Sequence, residues 1–366
     1  MKKKTIAIIS NDSVWTYNLR REIIQALLDV GYRVTVIVGY GQRIEDLKKM
    51  GCDFIDIPVD RHGVNPFREL WLARKYHKAL KELQPDAVLT YTLKPNIYGG
   101  YVCSRLKIPF IANVTGLGTA VENEGLMQKI VMKMLRFGLK HASMVFFQNT
   151  ENQQFFIDKK IAVSAHDLLP GSGVNLQRYA FTEYPTDDVI KFAFVSRIMR
   201  EKGIDQYLEA AEYISHKYPN VEFHICGFCE AEYNGKLQQM SDMGVVKYHG
   251  MIRDVAGFMS NMNAIIHPTY YPEGISNVLL ESCAIGRPII TTDRSGCREV
   301  VDDGVNGFVI PQKNSQALID AIERFLELNF EQKQKMGVEA RAKVEREFDR
   351  NIVVQRYVDI VREVTS

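Results

Sequence analysis

The amino-acid sequence predicts an α/β protein made of two doubly wound domains, and three observations carry this prediction. The chain has 366 residues, which is more than one ordinary core needs and enough for two. Short runs rich in Val, Ile and Phe alternate with longer amphipathic stretches, which indicates buried parallel strands linked by helices on both faces of a sheet. This alternation occurs twice, and a stretch rich in turn residues, 170–185, separates the two series.

The first series predicts a parallel sheet covered by helices. Its apolar runs predict strands at 5–9, 33–38, 54–57, 87–91, 110–114 and 144–147. The intervening stretches have apolar residues at helical spacing and predict helices at 18–29, 67–83, 96–106, 126–140 and 150–159. Because each helix joins two consecutive strands, we expect right-handed crossovers.

The second series repeats the pattern. It predicts strands at 190–195, 221–225, 245–248, 264–267, 288–291 and 307–310, and helices at 205–217, 230–243, 254–261, 276–284, 315–328 and 331–347. We therefore expect an N-terminal domain, 1–180, a C-terminal domain, 181–349, and a last helix, 350–366, that packs back on the first domain. Ligands of open α/β sheets bind beyond the carboxyl ends of the strands, so two facing domains would hold a substrate in a central cleft.

The composition excludes several classes of protein. With 46% hydrophobic and 25% charged residues the chain is neither disordered nor fibrous. The uncharged segment 255–272 is interrupted by polar residues and prolines, which argues against a membrane-spanning helix. The first residues lead straight into a predicted strand without an apolar leader, so we expect a soluble, cytosolic protein.

The cysteines predict free thiols, because they are scattered and nothing indicates secretion. Cys226 and Cys229 have the spacing of a redox pair, but the chain around them is typical neither of a thioredoxin site nor of a zinc site. We interpret them as a turn after a strand, with redox or metal chemistry as the alternative.

The charge is distributed unevenly between the two halves. Residues 1–180 hold 25 Lys and Arg against 16 Asp and Glu, whereas 181–366 hold 21 against 28. A basic half indicates an anionic partner, such as nucleic acid, a phospholipid surface or a phosphorylated substrate. A chance partition of surface charge is the alternative.

A glutamate-rich segment follows the predicted strand 264–267 and opens a predicted helix. Gly274 allows close approach of a ligand, and the first N–H groups of the helix are suited to a phosphate or sugar oxygen. Glu273 precedes the helix and Glu281 lies about two turns in, where each carboxylate can bind sugar hydroxyls. The alternative is a capped helix with two surface glutamates.

A basic loop follows the first strand of the second domain. It carries Arg197 and Lys202, two cations at the same predicted sheet edge. Such a pair could neutralise a diphosphate and stabilise charge on a leaving group. The alternative is a solvated basic loop.

Together the two motifs resemble the retaining glycosyltransferases of the GT-B class, specifically family 4. Glu273 and Glu281 are separated by seven residues, as in the E-x7-E signature of that family, and the Ser-Arg…Lys-Gly loop precedes them in the same order. Further cues lie in the segments 10–20, 115–118 and 171–175. The resemblance extends over essentially the whole chain and is nearest to bacterial polysaccharide and polyprenyl-diphosphate-linked glycan transferases.

The resemblance implies a role for each candidate residue. Arg197 and Lys202 would hold the donor diphosphate, Glu281 the nucleotide ribose, and Glu273 the transferred sugar. Further donor contacts would come from Gly274, Ile275, Ser276, Asn277, Gly227 and Met251, and acceptor contacts from Ser13, Thr115 and Gly116. Independently of the resemblance, Lys94 follows the predicted strand 87–91 at the cleft edge and could meet an acceptor phosphate. The alternative is a solvated lysine in a turn. The donor would be a UDP-sugar and the acceptor a lipid-linked saccharide, and transfer would need no metal ion and no cofactor.

A basic stripe on the predicted helix 126–140 suggests where an acceptor membrane lies. Its cations recur at steps of three and four residues, at Lys129, Lys133, Arg136 and Lys140. Such a helix suits the anionic inner face of a cell membrane, which predicts a peripheral cytoplasmic enzyme. The alternative is a solvated outer face.

Three other functions are open to the same architecture. A nicotinamide dehydrogenase is disfavoured, because the segment after the first strand lacks Gly-x-Gly-x-x-Gly. A nucleic-acid binder is disfavoured, because no recognition helix and no interleaving of aromatic and basic residues is evident. A non-catalytic sugar-nucleotide-binding or scaffold subunit would keep the fold without the reaction.

Overall fold

The structure is a computed structural model that describes residues 3–60, 63, 65–116, 121, 125–161 and 165–366. The chain forms two compact units. Unit 1 comprises Met1–Ser172 and Arg350–Ser366, and unit 2 comprises Gly173–Asp349. The predicted boundary at 180/181 lies too late in the chain, because Val174 bridges to Asp349 and Tyr179 is buried in the core of unit 2.

Unit 1 contains a parallel sheet of seven described strands. They are β1 (Thr5–Ile9), β2 (Arg33–Val38), β3 (Asp53–Asp56), β4 (Ala87–Tyr91), β5 (Phe110–Val114), β6 (Met144–Phe147) and β7 (His166–Leu168). Their order across the sheet is β3-β2-β1-β4-β5-β6-β7. The first six follow the predicted strands closely. Strand β7 was not predicted, because its three residues contain no apolar run.

Helices are numbered in chain order through both units, so the numbers in unit 1 are not consecutive. The helices of unit 1 are α1 (Ser13–Asp29), α2 (Ile44–Lys49), α3 (Pro66–Leu83), α4 (Gly100–Leu106), α5 (Leu126–Leu139), α6 (Thr150–Asp158) and α13 (Arg350–Thr365), and a π-helical turn, Pro95–Gly99, runs into α4. Helix α1 begins five residues earlier than predicted, because the Asp12 side chain caps it by accepting a hydrogen bond from the Trp15 N–H (2.8 Å).

The sheet of unit 1 has a hydrophobic core on each face. Side chains alternate between faces along a strand, so Ile6 and Ile8 pack with α1 and α13, whereas Ala7 and Ile9 pack with α3 to α6. The last helix, α13, packs on unit 1. Arg350 at its start pairs with Glu22 of α1 (2.9 Å).

Unit 2 contains a second parallel sheet, of six described strands. They are β8 (Ile190–Val195), β9 (Val221–Cys226), β10 (Lys247–Tyr248), β11 (Ala264–His267), β12 (Ile289–Thr292) and β13 (Gly307–Ile310). Their order is β10-β9-β8-β11-β12-β13. The prediction of two doubly wound parallel sheets is therefore confirmed.

The helices of unit 2 cover both faces of its sheet. They are α7 (Ile204–Lys217), α8 (Asn234–Asp242), α9 (Val255–Ser260), α10 (Asn277–Ile285), α11 (Ser315–Glu327) and α12 (Phe330–Glu347), with short 3-10 turns at Arg200–Lys202 and Ala231–Tyr233. The predicted helix 230–243 is thus a 3-10 turn followed by the shorter α8.

The strand order creates a switch point in each sheet. In unit 2 the chain proceeds from β8 outward to β9 and β10, then returns to β11 on the other side of β8 and proceeds outward again. The loops that leave β8 and β11 therefore start side by side and diverge. Such a point is where open α/β sheets form a crevice for ligands.

Candidate functional site

Two loops of unit 2 meet at its switch point. The loop after β8 carries the predicted cations, and the loop after β11 carries the predicted glutamate. The backbone ties the loops together, because the Tyr270 N–H and the Thr269 hydroxyl both donate to the Glu201 carbonyl (2.9 and 3.2 Å). The strand order thus brings Lys202 and Glu273, 71 positions apart in sequence, into one site.

Lys202 and Glu273 form an ion pair between these loops. The lysine side chain is buried, and the carboxylate is about one-quarter exposed. Burial would raise the pKa of Glu273, but Lys202, with help from Arg197, outweighs burial and holds that pKa below its ordinary value. The site therefore presents an ionised carboxylate and a buried ammonium group in contact.

Arg197 lies beside this pair. Its guanidinium carbon is 5.7 Å from the centre of the Tyr271 ring, and Lys202 Nζ is 5.0 Å from the same centre. Half of the Arg197 side chain is exposed, and its Nη1 is 3.9 Å from a Glu230 oxygen. Sequence reasoning missed Tyr271, although an aromatic residue two positions before the glutamate is a visible signal.

Helix α10 starts at the same edge. Ser276 is its N-cap residue, but its N–H donates to the Gly296 carbonyl (2.8 Å). The Ser276 N–H is therefore already paired within the protein and is not one of the donors at this helix start that could bind a phosphate or sugar oxygen. Asn277 Oδ1 is buried and has no hydrogen-bond partner among the described residues, so it is the acceptor at this helix start that can take a ligand hydroxyl or N–H.

The other predicted donor-binding residues lie on or just before α10, after β9 and after β10. Glu281 lies four residues after Asn277 on α10, hence on the same face, and is half-buried. Ile275 is buried in the core, so only its backbone can meet a ligand. Gly227 follows β9 and lies against the loop after β8. The approach is so close that a Cβ atom on Gly227 would collide with the Ser196 carbonyl. Met251 is exposed on the loop after β10.

Cys226 and Cys229 are free thiols. Burial raises the pKa of both thiols, which is the opposite of what a reactive thiolate needs. Across the described residues, His, Cys, Asp and Glu side chains nowhere group in threes or more as a metal site. The interpretation of this segment as a turn after a strand agrees with the end of β9 at Cys226.

Gly203 shapes the loop that holds Lys202, and its replacement by alanine should be costly. Its φ is +80°, and a Cβ atom would collide with the Pro268 carbonyl of the neighbouring loop. Gly244 is the matched control, because it has φ +74° and open space around it. We expect Gly244→Ala to lower the free energy of unfolding by about 1–2 kcal/mol, the cost of a left-handed alanine.

Gly203→Ala should lose at least about 1 kcal/mol more than that control, since the loops must also separate. Urea unfolding followed by circular dichroism measures both variants. Equal losses would show that the two loops do not approach as closely as described.

His267, at the end of β11, lies under this site and makes the unfolding free energy depend on pH. The ring is buried, with Nε2 3.3 Å from Ser276 Oγ. Burial first, and then the charge of Lys202, lower its pKa to about 3. The unfolded chain takes up this proton near pH 6.5, whereas the folded chain does not, so stability falls by roughly 1.4 kcal/mol per pH unit below pH 6.5.

We therefore expect His267→Asn to reduce the pH dependence of unfolding by about one proton between pH 6.5 and 5. That window lies above the ordinary pKa of an unfolded glutamate, about 4.5, so Glu273 is mostly ionised in both states and contributes little there. Urea midpoints across the range measure the slope. The prediction is wrong if the unfolding free energies of the variant and the original protein have the same slope against pH in that window. A constant difference between them that persists above pH 7.5 would not be the predicted effect.

Unit 1 holds the predicted acceptor residues at the carboxyl edge of its own sheet. Ser13 is buried at the first position of α1. Thr115 and Gly116 follow β5 and line a small cavity with Thr92 and Asn96. Residues 117 and 118 of the same predicted motif lie outside the described residues.

Lys94 differs from its prediction as a solvated or ligand-facing lysine. Its Nζ pairs with Glu69 of α3 and also donates to the Gly63 carbonyl (2.7 Å). Its charge is therefore already balanced within unit 1. Lys94 can meet an acceptor phosphate only by exchanging these partners.

The basic residues of the predicted membrane stripe, Lys129, Lys133, Arg136 and Lys140, are all exposed. Arg136 is not a freely extended cation, because it donates to the carbonyls of Lys159 and Lys160 (2.8 and 3.1 Å) at the end of α6. Within the part of the chain that the structure describes, no helix has the length and apolar character to cross a membrane.

Comparison with known proteins agrees with this architecture. The family "Glycosyl transferase 4-like" matches residues 5–149, and "Glycosyl transferases group 1" matches residues 178–343. One relative is N,N'-diacetylbacillosaminyl-diphospho-undecaprenol alpha-1,3-N-acetylgalactosaminyltransferase of Campylobacter jejuni subsp. jejuni serotype O:2. It is 25% identical over 374 residues, which are 97% of either chain.

Solved structures share the GT-B fold. HepE from Anabaena in complex with UDP has a TM-score of 0.81 at 18% identity, over 99% of this chain and 100% of its own. HepE in complex with UDP-glucose has a TM-score of 0.80 at 18% identity, over 98% and 99% of the two chains. Since the two family matches together span most of the sequence, the chain is a glycosyltransferase that combines a 4-like amino-terminal domain with a group 1 carboxy-terminal domain.

Proposed function

We propose that this glycosyltransferase moves a hexose, an N-acetylhexosamine or a uronic acid from a UDP-sugar to a polyprenyl-diphosphate-linked saccharide, with retention at the anomeric carbon. The observation that carries the proposal is the contact between Lys202 and Glu273, with Arg197 beside it, at the switch point of unit 2. A sugar diphosphate has both of the groups that this arrangement can bind: an anionic bridge for the cations and hydroxyls for the carboxylate.

The donor would bind across the two loops of unit 2. Lys202 and Arg197 would contact the diphosphate, and the ionised Glu273 would accept hydrogen bonds from the sugar. Asn277 Oδ1, which is buried without a partner in the described protein, would accept another. Glu281, on the same face of α10, would bind the ribose hydroxyls. The complexes of HepE with UDP and UDP-glucose support a UDP donor.

The reaction would then depend on charge at the leaving group. The bond between the anomeric carbon and the phosphate oxygen breaks, and the acceptor oxygen bonds to that carbon on the same face. The acceptor hydroxyl gives its proton to the departing phosphate. Because the two cations stabilise the charge that develops on the diphosphate, this step would need no metal ion and no cofactor.

The acceptor would bind to unit 1, near Ser13, Thr115 and Gly116. The Campylobacter relative supports a diphosphate-linked acceptor, because its name specifies diphospho-undecaprenol. Such a lipid resides in a membrane, so the enzyme would work as a peripheral protein at the cytoplasmic face.

Transfer of radiolabel tests the proposal. Purified protein is incubated with each of several UDP-sugars and a polyprenyl-diphosphate saccharide, and lipid-linked label is counted. We expect label from at least one donor and a roughly 100-fold loss in Glu273→Gln, which removes the charge but keeps the shape. Glu323→Gln, in an ion pair with Lys217 between α11 and the end of α7, is the control and should keep full activity, because neither residue belongs to the two loops of the site.

Two outcomes would contradict the proposal. Full transfer by Glu273→Gln would remove that carboxylate from the site. Binding of UDP-sugars without transfer to any lipid-linked saccharide would instead favour a non-catalytic sugar-nucleotide-binding subunit. Calorimetric titration with UDP separates the second outcome from an inactive preparation.

A further inference from the structure

Two helices of unit 1, α3 and α5, expose large apolar side chains in their first two turns. In α3 these are Phe67, Leu70 and Trp71, which are 81%, 51% and 45% exposed. In α5 they are Leu126, Met127 and Ile130, of which Leu126 is 76% exposed. We call these six residues the apolar tips. Side chains of this size rarely cluster on a surface that contacts only water.

The apolar tip of α3 and that of α5 lie on the same face of the unit 1 sheet, toward its carboxyl edge. The inward sides of α3 and α5 belong to one core cluster, through Leu72 and Tyr76 of α3 and Leu135 of α5. Helix α3 follows β3 and ends just before the start of β4, and α5 follows the end of β5. The first turns of both helices therefore lie toward the carboxyl edge of the sheet, where the proposed acceptor residues are.

Helix α4 fills the space between α3 and α5. Gly100 of α4 approaches Gly138 of α5 so closely that a Cβ atom on either residue would collide with the neighbouring backbone. Tyr101 of α4 stacks on Phe137 of α5, with ring centres 5.1 Å apart. The outer surfaces of α3, α4 and α5 thus form one continuous layer that turns away from the core.

Basic residues dominate the outer surface behind the apolar tips. Helix α3 carries Arg68, Arg74, Lys75, Lys78 and Lys81, and α5 carries Lys129, Lys133 and Arg136. Against these eight cations the two helices hold two acids, both in α3, and one of them, Glu69, is paired with Lys94. A surface of this charge complements an anionic partner.

We propose that α3 and α5 together form a docking surface for an anionic phospholipid bilayer. The apolar tips enter the boundary between headgroups and acyl chains, and the cations behind them contact lipid phosphates. Trp71 is suited to this boundary, where tryptophan is enriched, and Lys75 Nζ lies 5.1 Å from its ring centre. The inference deepens the proposed function and rests on its membrane-bound acceptor.

Docking through α3 and α5 would also orient unit 1 relative to a membrane-bound acceptor. With both apolar tips in the bilayer surface, the carboxyl edge of the unit 1 sheet faces the headgroup layer. A polyprenyl-linked substrate has its diphosphate in that layer. The enzyme could therefore bind the saccharide end while the lipid chain stays in the membrane.

Trp71 reports directly on the docking surface, because the chain has only one other tryptophan, Trp15. Trp15 lies on α1, which covers the opposite face of the sheet. We expect full-length Trp15→Phe protein to show a blue shift on vesicles of phosphatidylglycerol and phosphatidylcholine, and quenching by brominated lipids. The matched Trp71→Phe protein should show neither. A shift of Trp15 with none of Trp71 would overturn the proposal.

Cosedimentation with vesicles measures the contribution of the apolar tip of α3. The variant with Phe67→Ser, Leu70→Ser and Trp71→Ser should bind anionic vesicles at least roughly tenfold more weakly. The control replaces two exposed apolar residues of unit 2, Met243→Ser and Val338→Ser, and should bind like the original protein. Circular dichroism verifies that both variants are folded.

Three results would overturn the inference. Equal vesicle binding by the triple variant, or equal binding to vesicles of phosphatidylcholine alone, would exclude this surface or its charge preference. A dimer of the original protein that the triple variant loses, seen by analytical ultracentrifugation, would assign the apolar tips to a second copy of the chain.

A short-chain prenyl-diphosphate saccharide, soluble in water, separates this inference from the proposed function. Transfer to that acceptor without vesicle binding would leave the proposed function standing and overturn the docking surface. Vesicle binding through Trp71 without transfer to any acceptor would do the reverse. The triple variant should keep its activity on the soluble acceptor, because none of the three replaced residues belongs to the proposed donor or acceptor site.

Discussion

Lys202→Met is expected to reduce kcat/KM for sugar transfer by about 10²–10³-fold, which corresponds to about 3–4 kcal/mol of transition-state stabilisation. Methionine keeps the length of the side chain but removes the charge. The departing diphosphate then lacks its buried cation, and Glu273 lacks its ion-pair partner. We expect kcat to fall with kcat/KM, because charge develops on the leaving group mainly in the transition state.

Steady-state transfer with whichever UDP-sugar the radiolabel experiment identifies as the donor measures this effect. Lys217→Met is the matched control, because Lys217 also pairs with a glutamate of unit 2 but on an exposed surface. That variant should lose less than about 1 kcal/mol of stability and no activity. If Lys202→Met raises KM alone and leaves kcat intact, the lysine contributes to ground-state binding and its proposed role in the leaving-group step is wrong.

Arg287→Met is expected to lower the free energy of unfolding by about 3–5 kcal/mol. Arg287 is fully buried between α10 and β12. Its guanidinium donates to the carbonyls of Thr182, Glu183 and Ser260 (3.1, 2.7 and 2.6 Å). It also donates to the carbonyls of Ile285 and Gly286 (3.3 and 3.1 Å).

The substitution would remove all of these hydrogen bonds, and methionine cannot replace any of them. Of the five carbonyls, that of Ile285 still accepts from the Thr182 N–H (3.1 Å). Burial lowers the pKa of Arg287 to about 10, so the group is still charged at neutral pH and its hydrogen bonds are charge-assisted. The segments that it joins, 182–183, 260 and 285–286, should separate first when unit 2 unfolds.

Two signals can follow this loss. These are circular dichroism, which reports the helices of both units, and hydrogen exchange. Tryptophan fluorescence would not report the loss, because both tryptophans lie in unit 1. We expect the dichroism midpoint in urea to fall, with early loss of hydrogen-exchange protection in α10. Arg346→Met, at an exposed site on α12, is the control and should stay within about 0.5 kcal/mol. A change in Arg287→Met of less than about 1 kcal/mol would contradict the expectation.

Local patterns predicted most of the secondary structure. Buried parallel strands are short apolar runs bounded by turns, so β1, β4, β5, β8 and β11 begin and end where their runs do. Where the local signal was weak, the prediction failed. The helix α2 is only six residues long, and β7 has the sequence His-Asp-Leu, so neither shows a period that can be recognised.

The candidate site was predicted as a set of residue types and not as an arrangement. Glu273, Lys202 and Arg197 were identified by their places after strands and by a family resemblance. Their contact depends on β8 and β11 being neighbours, although β9 and β10 lie between them in the sequence. Periodicity within a segment holds no information about which strands pair, so neither the ion pair nor the ring of Tyr271 beneath the cations followed from it.

The protein's sequence by itself determined the two series of strands and helices, the family, and the residues able to bind a sugar diphosphate, because hydrophobic periodicity and motif spacing are local properties of the chain. Only the tertiary structure decided that Lys94 is balanced by Glu69, that Arg136 caps α6, and that the apolar tips of α3 and α5 stay exposed. These facts depend on contacts between segments distant in sequence, and such contacts form only when the sheets are assembled.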